Sequence, residues 1–224
     1  MRGPVVYVFL LMVGSLLPAV HGCICMPSHP QQDFCRADLV IVGTIESSQL
    51  ISAALLSPIR LGQPDIIAYS ISVESVKKGD QHQALWSSEN TLRINTTATE
   101  NSCGVPGLTV GQQYVLSVMV VNGKGFLNFC QFRQVYSELT TMQRRGINGA
   151  YMGGCSQCQI ETCWAYGNCP VTTPDDTTCM HGNRQTHEDC YYYHGYCRAR
   201  PNGKCVWKKN AEFEGCLQST NQVS

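Results

Sequence analysis

Residues 23–45 carry the pattern that decides the predicted fold, and they read CICMPSHPQQDFCRADLVIVGTI. Cysteines stand at positions 23, 25 and 35, and an apolar, β-branched run from Leu39 to Ile45 follows Asp38. Such a run predicts a β-strand. If Cys23 and Cys25 both form disulfide bonds, the short segment before the strand is held rigidly, and binding through it loses little entropy.

Further strand patterns follow along the chain. Alternating or β-branched runs predict strands over Ile67–Val76, Thr91–Thr97, Tyr114–Val121 and Phe126–Phe132. In the first of these runs, Ile67, Tyr69, Ile71 and Val73 share one face. The last two runs flank the sequence NGKG at 122–125, which indicates a hairpin. The segment 137–145 has a helical pattern, with Ser137 as its expected N-cap and Gly146 as its expected stop. Five strands and a helix predict a mainly β fold with helices, built as a small closed barrel such as the OB-fold.

The composition excludes several classes of function. Lys plus Arg and Asp plus Glu both number 16, so the 224-residue chain has no formal net charge. Nucleic-acid binding needs a surplus of cationic side chains, so we expect no nucleic-acid partner. A neutral chain also argues against a polybasic membrane anchor. Fourteen cysteines are typical of an oxidised, secreted protein.

The N-terminus has the pattern of a secretory signal peptide. Arg2 precedes an apolar run over 5–17, and small residues follow up to Gly22. Cleavage after Gly22 would remove the signal peptide 1–22 and make Cys23 the first mature residue; a buried N-terminal helix is the alternative. The apolar run is too short to span a bilayer and no later run is longer, so the sequence predicts secretion to the extracellular matrix without membrane insertion.

Cysteine density divides the remaining chain into two parts. Five cysteines lie between positions 23 and 130, and nine lie between positions 155 and 216. The first part therefore needs an apolar core of its own, whereas the second has the composition of a disulfide scaffold. We expect an N-terminal domain over 23–155 and a small disulfide-rich C-terminal domain over 156–224.

The sequence lacks common catalytic motifs, so we expect no enzyme activity and no cofactor of its own. His181, His187 and His194 lie among cysteines, where a zinc cluster or surface histidines on a bridged scaffold would fit. The C-x-x-C at 155–158 has redox spacing, but two structural half-cystines fit better because the strand–helix context is missing. Asn95 begins the sequon NTT, which predicts glycosylation on a surface loop.

A cysteine at the mature N-terminus offers chemistry through its backbone. An α-amino group has a pKa of about 7.7–8.0, so part of the Cys23 amine is neutral near physiological pH. That nitrogen and the carbonyl oxygen of the same residue can close a five-membered chelate ring on a metal. Such a chelator suits the open position of a catalytic zinc in another protein's active site. Two ordinary disulfide bonds near a terminus are the alternative.

The run from Cys23 to Ile41 resembles the start of the tissue inhibitors of metalloproteinases. The resemblance continues at CGV (103–105), CQF (130–132), YMGGC (151–155) and, more weakly, GKCVW (203–207), and so covers nearly all of 23–207. It implies an inhibitory domain with a five-stranded, netrin-like OB-fold barrel and a smaller bridged domain. It also implies the disulfide bonds Cys23–Cys103, Cys25–Cys130, Cys35–Cys155, Cys158–Cys205, Cys163–Cys169 and Cys179–Cys197. Two cysteines then remain, and we infer a seventh bond, Cys190–Cys216.

The family mechanism implies how this chain would act. The amine and carbonyl of Cys23 would chelate the zinc of a secreted or membrane-bound metalloproteinase and displace its catalytic water, while Ile24 would enter the specificity pocket. The 156–224 domain would offer a surface for matrix or cell-surface proteins. The inhibitory contact would be completed by Cys25, Met26, Pro27, Thr99, Glu100, Asn101, Ser102, Cys103, Gly104 and Val105.

The chain departs from the family pattern at several positions. Family members usually carry a small hydroxyl residue where Ile24 stands, and one extra aliphatic branch in a pocket changes binding by about 1–3 kcal/mol. We therefore expect Ile24 to alter target selectivity without abolishing inhibition. Asp33 and Val42 also depart from the pattern, outside the chelating residues. The end of the chain, 216–224, has no acidic residue, which argues against docking on gelatinase precursors.

Other functions remain open on the sequence. A netrin-like module would share the barrel and the early C-x-C but would bind other proteins without inhibiting a protease. A secreted metal-dependent enzyme would use the C-terminal histidines. A growth-factor-like or matrix-binding protein would act through 156–224, and that activity is compatible with inhibition.

Overall fold

A computed structural model of the chain describes residues 23–26, 28–56, 64–86, 90–163, 176–182 and 190–221. Several expectations fall outside the described residues, namely the signal peptide 1–22, Pro27 and His187. The expected Cys163–Cys169 bond also falls outside them, because Cys169 is not among the described residues. Among the described residues, no helix has the length and apolar character needed to cross a membrane.

Strands and short helices alternate along the described chain. The strands are β1 Leu39–Ile51, β2 Ile66–Lys78, β3 Thr91–Thr97, β4 Gln113–Val121, β5 Lys124–Phe126, β6 Arg133–Val135, β7 Gln159–Cys163, β8 Thr178–Gly182, β9 Gly195–Ala199 and β10 Cys205–Lys209. The α-helices are α1 Pro30–Arg36, α2 Ala53–Leu56, α3 Thr141–Arg145, α4 Tyr151–Cys155, α5 Cys190–His194 and α6 Ala211–Asn221. Segments of 3₁₀-helix lie at Asp80–Leu85, which has a kink at His82, and at Glu100–Ser102 and Tyr136–Glu138.

Five strands close a barrel, which confirms the predicted fold class. Strand β1 pairs with β2, β2 with β3, β3 with β5, β5 with β4, and β4 returns to pair with β1. All neighbours in this ring are antiparallel except β3 and β5, which run parallel. Strand β6 adds to the free side of β4. Because the ring is closed, its strands leave few unpaired backbone groups at an edge.

Alternating side chains of these strands fill the barrel. The predicted inward face of β2 is confirmed: Tyr69, Ile71 and Val73 are buried in the core and Ile67 packs against it. Burial of this set supplies the hydrophobic stabilisation of the barrel. The other buried members of this core are Leu39, Ile41, Ile45, Leu92, Ile94, Val105, Tyr114, Leu116, Val118 and Leu127.

The predicted hairpin forms, but its second strand is shorter than expected. Asn122 and Gly123 both have positive φ, 51° and 70°, as a tight two-residue hairpin turn requires. The strand prediction over 126–132 is wrong because β5 ends at Phe126. In the loop that follows, side-chain oxygens accept hydrogen bonds from backbone N–H groups. The Asn128 side chain accepts from the N–H of Cys130, and the Gln131 side chain accepts from the N–H of Asn128.

The helix predicted over 137–145 begins later than expected but ends at the expected residue. Thr140, rather than Ser137, caps α3, through a reciprocal capping box with Gln143. Helix α3 ends at Arg145 with Gly146 as its C-cap, and a π-helical turn over Gly146–Ala150, with non-helical backbone at Asn148 and Gly149, precedes α4. A Cβ at position 146 would lie 2.2 Å from the ring of Tyr151, so this glycine is needed for close packing.

Beyond Cys155 the described chain consists of small, bridged elements, as its composition predicts. Strands β7 and β8 pair in parallel, and β9 and β10 pair antiparallel. A second apolar cluster lies on the outside of the barrel, where Phe34 of α1, Val40, Val115 and Tyr151 meet Tyr196 of β9. Apolar packing therefore continues from the barrel wall into the C-terminal part.

Candidate functional site

Two neighbouring disulfide bonds hold the segment that begins at Cys23. Cys23 is bonded to Cys103, with 5.1 Å between the Cα atoms, and Cys25 is bonded to Cys130, with 5.2 Å. The Sγ atoms of Cys23 and Cys130 lie only 3.8 Å apart, so the two bonds are in contact. They fix the segment beside the loops that follow β3 and β5, at one end of the barrel.

The side chains between and after these bonds face outwards. Ile24 is 89% exposed and Met26 is 70% exposed. Large apolar side chains are normally covered in a folded domain, and adjacent exposed ones indicate a contact surface. A rigid backbone with protruding apolar side chains can insert into an apolar pocket without a large loss of entropy.

The loop from Thr99 to Val105 lies beside this segment because Cys103 is bonded to Cys23. Two positions constrain the backbone of this loop. Cys103 has a left-handed conformation (φ 61°), and Gly104 packs so closely that a Cβ on it would lie 1.8 Å from the carbonyl oxygen of Thr97. Glu100, Asn101 and most of this loop are accessible, but Val105 is 3% exposed and belongs to the barrel core. The structure thus brings together the two segments expected to form the inhibitory contact and turns the Val105 side chain away from it.

Helix α1 anchors the other end of the segment. His29 and Gln32 form a capping box: His29 Nδ1 accepts from the N–H of Gln31 at 3.1 Å, and Gln32 Oε1 accepts from the N–H of His29 at 2.7 Å. Ser28 donates its hydroxyl proton to the Asp33 carboxylate, at 2.8 Å from each oxygen. Burial raises the pKa of Asp33 to about 6, although the Ser28 hydrogen bond and the Arg36 charge oppose that rise.

A lysine closes the C-terminal end of α1. The ammonium of Lys78 in β2 donates to the carbonyl oxygens of Phe34, Cys35 and Ala37 at 3.1, 2.6 and 2.6 Å. These carbonyls have no partners within so short a helix, and a cation at this end also opposes the helix dipole. Burial lowers the pKa of Lys78 and the charge of Asp38 partly opposes that effect.

Three polar side chains at the start of α1 join it to the C-terminal part of the chain. Gln31 donates to the carbonyl of Cys197 at 2.8 Å and accepts from the N–H of the same residue at 2.7 Å. Gln32 donates to the carbonyl of Ile160 at 2.6 Å, and His29 Nε2 donates to the carbonyl of Tyr191 at 2.9 Å. Sequence reasoning missed this role of His29, Gln31 and Gln32, and only the capping-box spacing of His29 and Gln32 gave a signal.

The sequence pattern of one family, described as Tissue inhibitor of metalloproteinase, matches residues 21–207. The chain belongs to this family. Metalloproteinase inhibitor 3 of Xenopus laevis is 28% identical over 205 residues, covering 89% of this chain and 86% of the relative. Metalloproteinase inhibitor 4 of Rattus norvegicus is 29% identical over 205 residues, with 88% and 86% covered. Metalloproteinase inhibitor 2 of Homo sapiens is 28% identical over 212 residues, with 90% and 88% covered.

The remaining bridges of this tissue inhibitor of metalloproteinase family member lie in and around its C-terminal part. The structure joins Cys35 to Cys155, Cys158 to Cys205, Cys179 to Cys197 and Cys190 to Cys216. Two groups of three sulfur atoms lie close enough to hold a metal, at 23/25/130 and 158/197/205. Every cysteine in them is bonded to another cysteine, so these sulfurs are not thiolate ligands.

The described histidines of the C-terminal part have partners other than a metal. His181 is buried, and its Nε2 lies 3.1 Å from the hydroxyl oxygen of Thr162. The Nδ1 atom of His194 lies 3.3 Å from Glu212 Oε2. These contacts are those of His181 and His194 alone, since His187, the third histidine of the zinc cluster that the sequence left open, lies outside the described residues.

Asn95 lies within β3 rather than on a loop, which corrects the sequence-based placement. Its neighbours Ile94 and Thr96 are buried, whereas Asn95 is partly exposed. Alternation along the strand therefore directs the Asn95 side chain to the outside of the barrel, with Arg93. The sequon is accessible there, and glycosylation of Asn95 stays a prediction.

Proposed function

We propose that the chain is a secreted inhibitor of zinc metalloproteinases, meaning matrix metalloproteinases and their relatives. Membership of the family supports this proposal, as do the names of its relatives. The inhibitor would itself carry no catalytic residues and no cofactor. Its partners would be secreted or membrane-bound proteases, which it would bind in the extracellular space.

The chelating group in this proposal is the backbone of Cys23 after removal of 1–22. A free α-amine and the carbonyl oxygen of Cys23 would bind the catalytic zinc of the protease and displace its water. The single observation that carries the proposal is the bridged end: Cys23 and Cys25 are both bonded, and Ile24 between them is 89% exposed. Because the end is ordered before it binds, little entropy is lost in the complex.

Ile24 is proposed to enter the specificity pocket next to the zinc. Transfer of a fully exposed isoleucine side chain into an apolar pocket is favourable by about 1.5–3 kcal/mol. Met26 and the accessible part of 99–104 would contact the protease around that pocket. A domain over 23–155 would supply this whole surface, since the barrel, α1 and the Cys35–Cys155 bond all lie within it. The domain over 156–224 would offer a separate surface to matrix or cell-surface proteins.

The experiment that tests the chelate adds one alanine before Cys23. We expect inhibition of a matrix metalloproteinase to be almost eliminated, because the amine of Cys23 becomes an amide that cannot coordinate zinc. The control is protein with Cys23 verified as its first residue by N-terminal sequencing, and both forms should melt at the same temperature. Nanomolar inhibition by the extended form would overturn the mechanism and leave a netrin-like binding module as the better interpretation.

A further inference from the structure

The contact between Ser28 and Asp33 lies where the inhibitory end joins the body of the protein. Cys25 is fixed by its bond to Cys130, and His29 is fixed as the buried N-cap of α1. Between these two fixed points Met26 is exposed and Ser28 is partly buried. The Ser28 hydroxyl, at 2.8 Å from both carboxylate oxygens of Asp33, attaches this short connection to the helix through a side chain.

We propose that Asp33 is a positioning residue for the inhibitory end, acting through Ser28 to fix the backbone between Cys25 and His29. The inference rests on the proposed function, since it concerns the same contact surface. Asp33 touches neither the target zinc nor the specificity pocket. Its carboxylate holds Ser28, and Ser28 limits the directions in which Met26 and the bridged end can point.

The cost of keeping this carboxylate supports a functional reason for it. Burial raises the pKa of Asp33 to about 6, above the ordinary value of 3.8, so the folded protein binds the proton more tightly than the unfolded chain. Stability contributed by this group is therefore present at low pH and is lost as the pH rises from about 4 to about 6. At neutral pH the ionised Asp33 carboxylate therefore destabilises the fold. Only this ionised form can accept hydrogen bonds on both oxygens, because the protonated form carries an O–H donor on one of them.

The charged and titratable groups around α1 lie on several elements. Arg36, one turn further along the helix, favours the ionised form. Lys78 contacts carbonyls at the far end of α1, and Glu161 lines a polar cavity that Arg36 also lines. Tyr151 of α4 stays neutral because burial raises its pKa far above the physiological range. His29 Nδ1 accepts from the N–H of Gln31, and His29 Nε2 donates to the carbonyl oxygen of Tyr191.

The test compares Asp33→Ala, Asp33→Asn, Ser28→Ala and the double variant Ser28→Ala/Asp33→Ala, each with a verified Cys23 terminus. We expect Asp33→Ala and Ser28→Ala to raise the inhibition constant for a zinc metalloproteinase by about tenfold each, from loss of a charge-assisted hydrogen bond. The double variant should be no worse than either single variant, because both remove the same contact. Asp33→Asn keeps one acceptor and should lose only about threefold.

Two readouts separate positioning from a structural role. Asp33→Asn should raise the melting temperature at pH 7.5 while weakening inhibition, whereas a purely structural residue would move both in the same direction. The ratio of the inhibition constants of Asp33→Asn and wild type should fall towards one as the pH decreases from 7.5 to 5.5, because the wild-type carboxyl becomes protonated. A ratio that is independent of pH, or an Asp33→Ala variant that inhibits like wild type, would overturn the proposal.

Backbone ¹⁵N relaxation distinguishes failure of this proposal from failure of the proposed function. In the free inhibitor, Asp33→Ala should lower the order parameters of the Met26 and Ser28 amides but not those of the barrel core. If the alanine-extended protein inhibits as well as wild type, the chelate is wrong, and the lower order parameters still support the positioning role. If the chelate holds and the order parameters of Met26 and Ser28 are unchanged, the positioning role is wrong by itself.

Discussion

Replacement of Gln31 by methionine should weaken the attachment of α1 to the C-terminal part of the chain. Gln31 is 2% exposed and exchanges two hydrogen bonds with the backbone of Cys197, at 2.7 and 2.8 Å. Methionine has a similar length and flexibility but cannot reproduce either bond. The variant Gln31→Met therefore removes the two bonds with little change in packing volume.

The size of the effect follows from the groups that lose their partners. The N–H and C=O of Cys197 would both be left buried without a hydrogen bond, and each such group costs about 1–3 kcal/mol. The free energy of unfolding should therefore fall by about 2–6 kcal/mol. For a chain of this size 1 kcal/mol shifts the melting temperature by about 2–4 °C, so a decrease of roughly 10 °C is expected.

Thermal unfolding followed by circular dichroism under non-reducing conditions measures this effect. The matched control is Gln49→Met, because Gln49 lies exposed on β1 and should change the melting temperature by little. A loss of less than about 1 kcal/mol beyond this control would refute the reasoning, because it would mean that water or rearrangement satisfies the Cys197 backbone.

Three further substitutions have outcomes set by single contacts. Lys78→Met removes an ammonium that donates to three carbonyls at the end of α1, and should lower the free energy of unfolding by about 2–4 kcal/mol in a urea titration; an unchanged midpoint would contradict the capping role. Gly104→Ala would place a methyl group 1.8 Å from a backbone oxygen and should raise the inhibition constant more than tenfold. Gly107→Ala is the control and should inhibit like wild type, because a Cβ at position 107 would have no other atom within 4 Å. Ile24→Gly should weaken inhibition about 10- to 200-fold while leaving the melting temperature unchanged, because this side chain is 89% exposed in the free protein; equal inhibition constants would exclude its role in the pocket.

Local patterns were sufficient to predict much of the barrel. Strand β3 has the predicted limits Thr91–Thr97, and the inward face of β2 is the predicted one. The turn at Asn122 and Gly123 also forms, since asparagine and glycine tolerate positive φ. Each of these features depends on neighbouring residues along the chain, so propensity and alternation are enough to indicate them.

The wrong strand prediction arose where a distant contact overrides local preference. The apolar run after Phe126 has the composition of a strand, but Cys130 is bonded to Cys25 and the run forms a loop held by its own side chains. Cys25 and Cys130 are 105 residues apart in sequence, so a local window does not contain the partner that sets this loop.

Local sequence patterns were enough for four of the five barrel strands, the hairpin turn and the division of cysteines into a sparse first part and a dense second part. Tertiary structure alone decided that β3 pairs with β5, that β4 returns to β1, and that Gln31 binds the backbone of Cys197. The loop beside Ile24 was expected from the resemblance to the family and not from local pattern, because Cys23 and Cys103 are 80 residues apart in sequence although their Cα atoms lie 5.1 Å apart. Local sequence patterns reflect the backbone preference and burial of neighbouring residues. Strand pairing and hydrogen bonding between distant segments depend instead on how the whole chain packs.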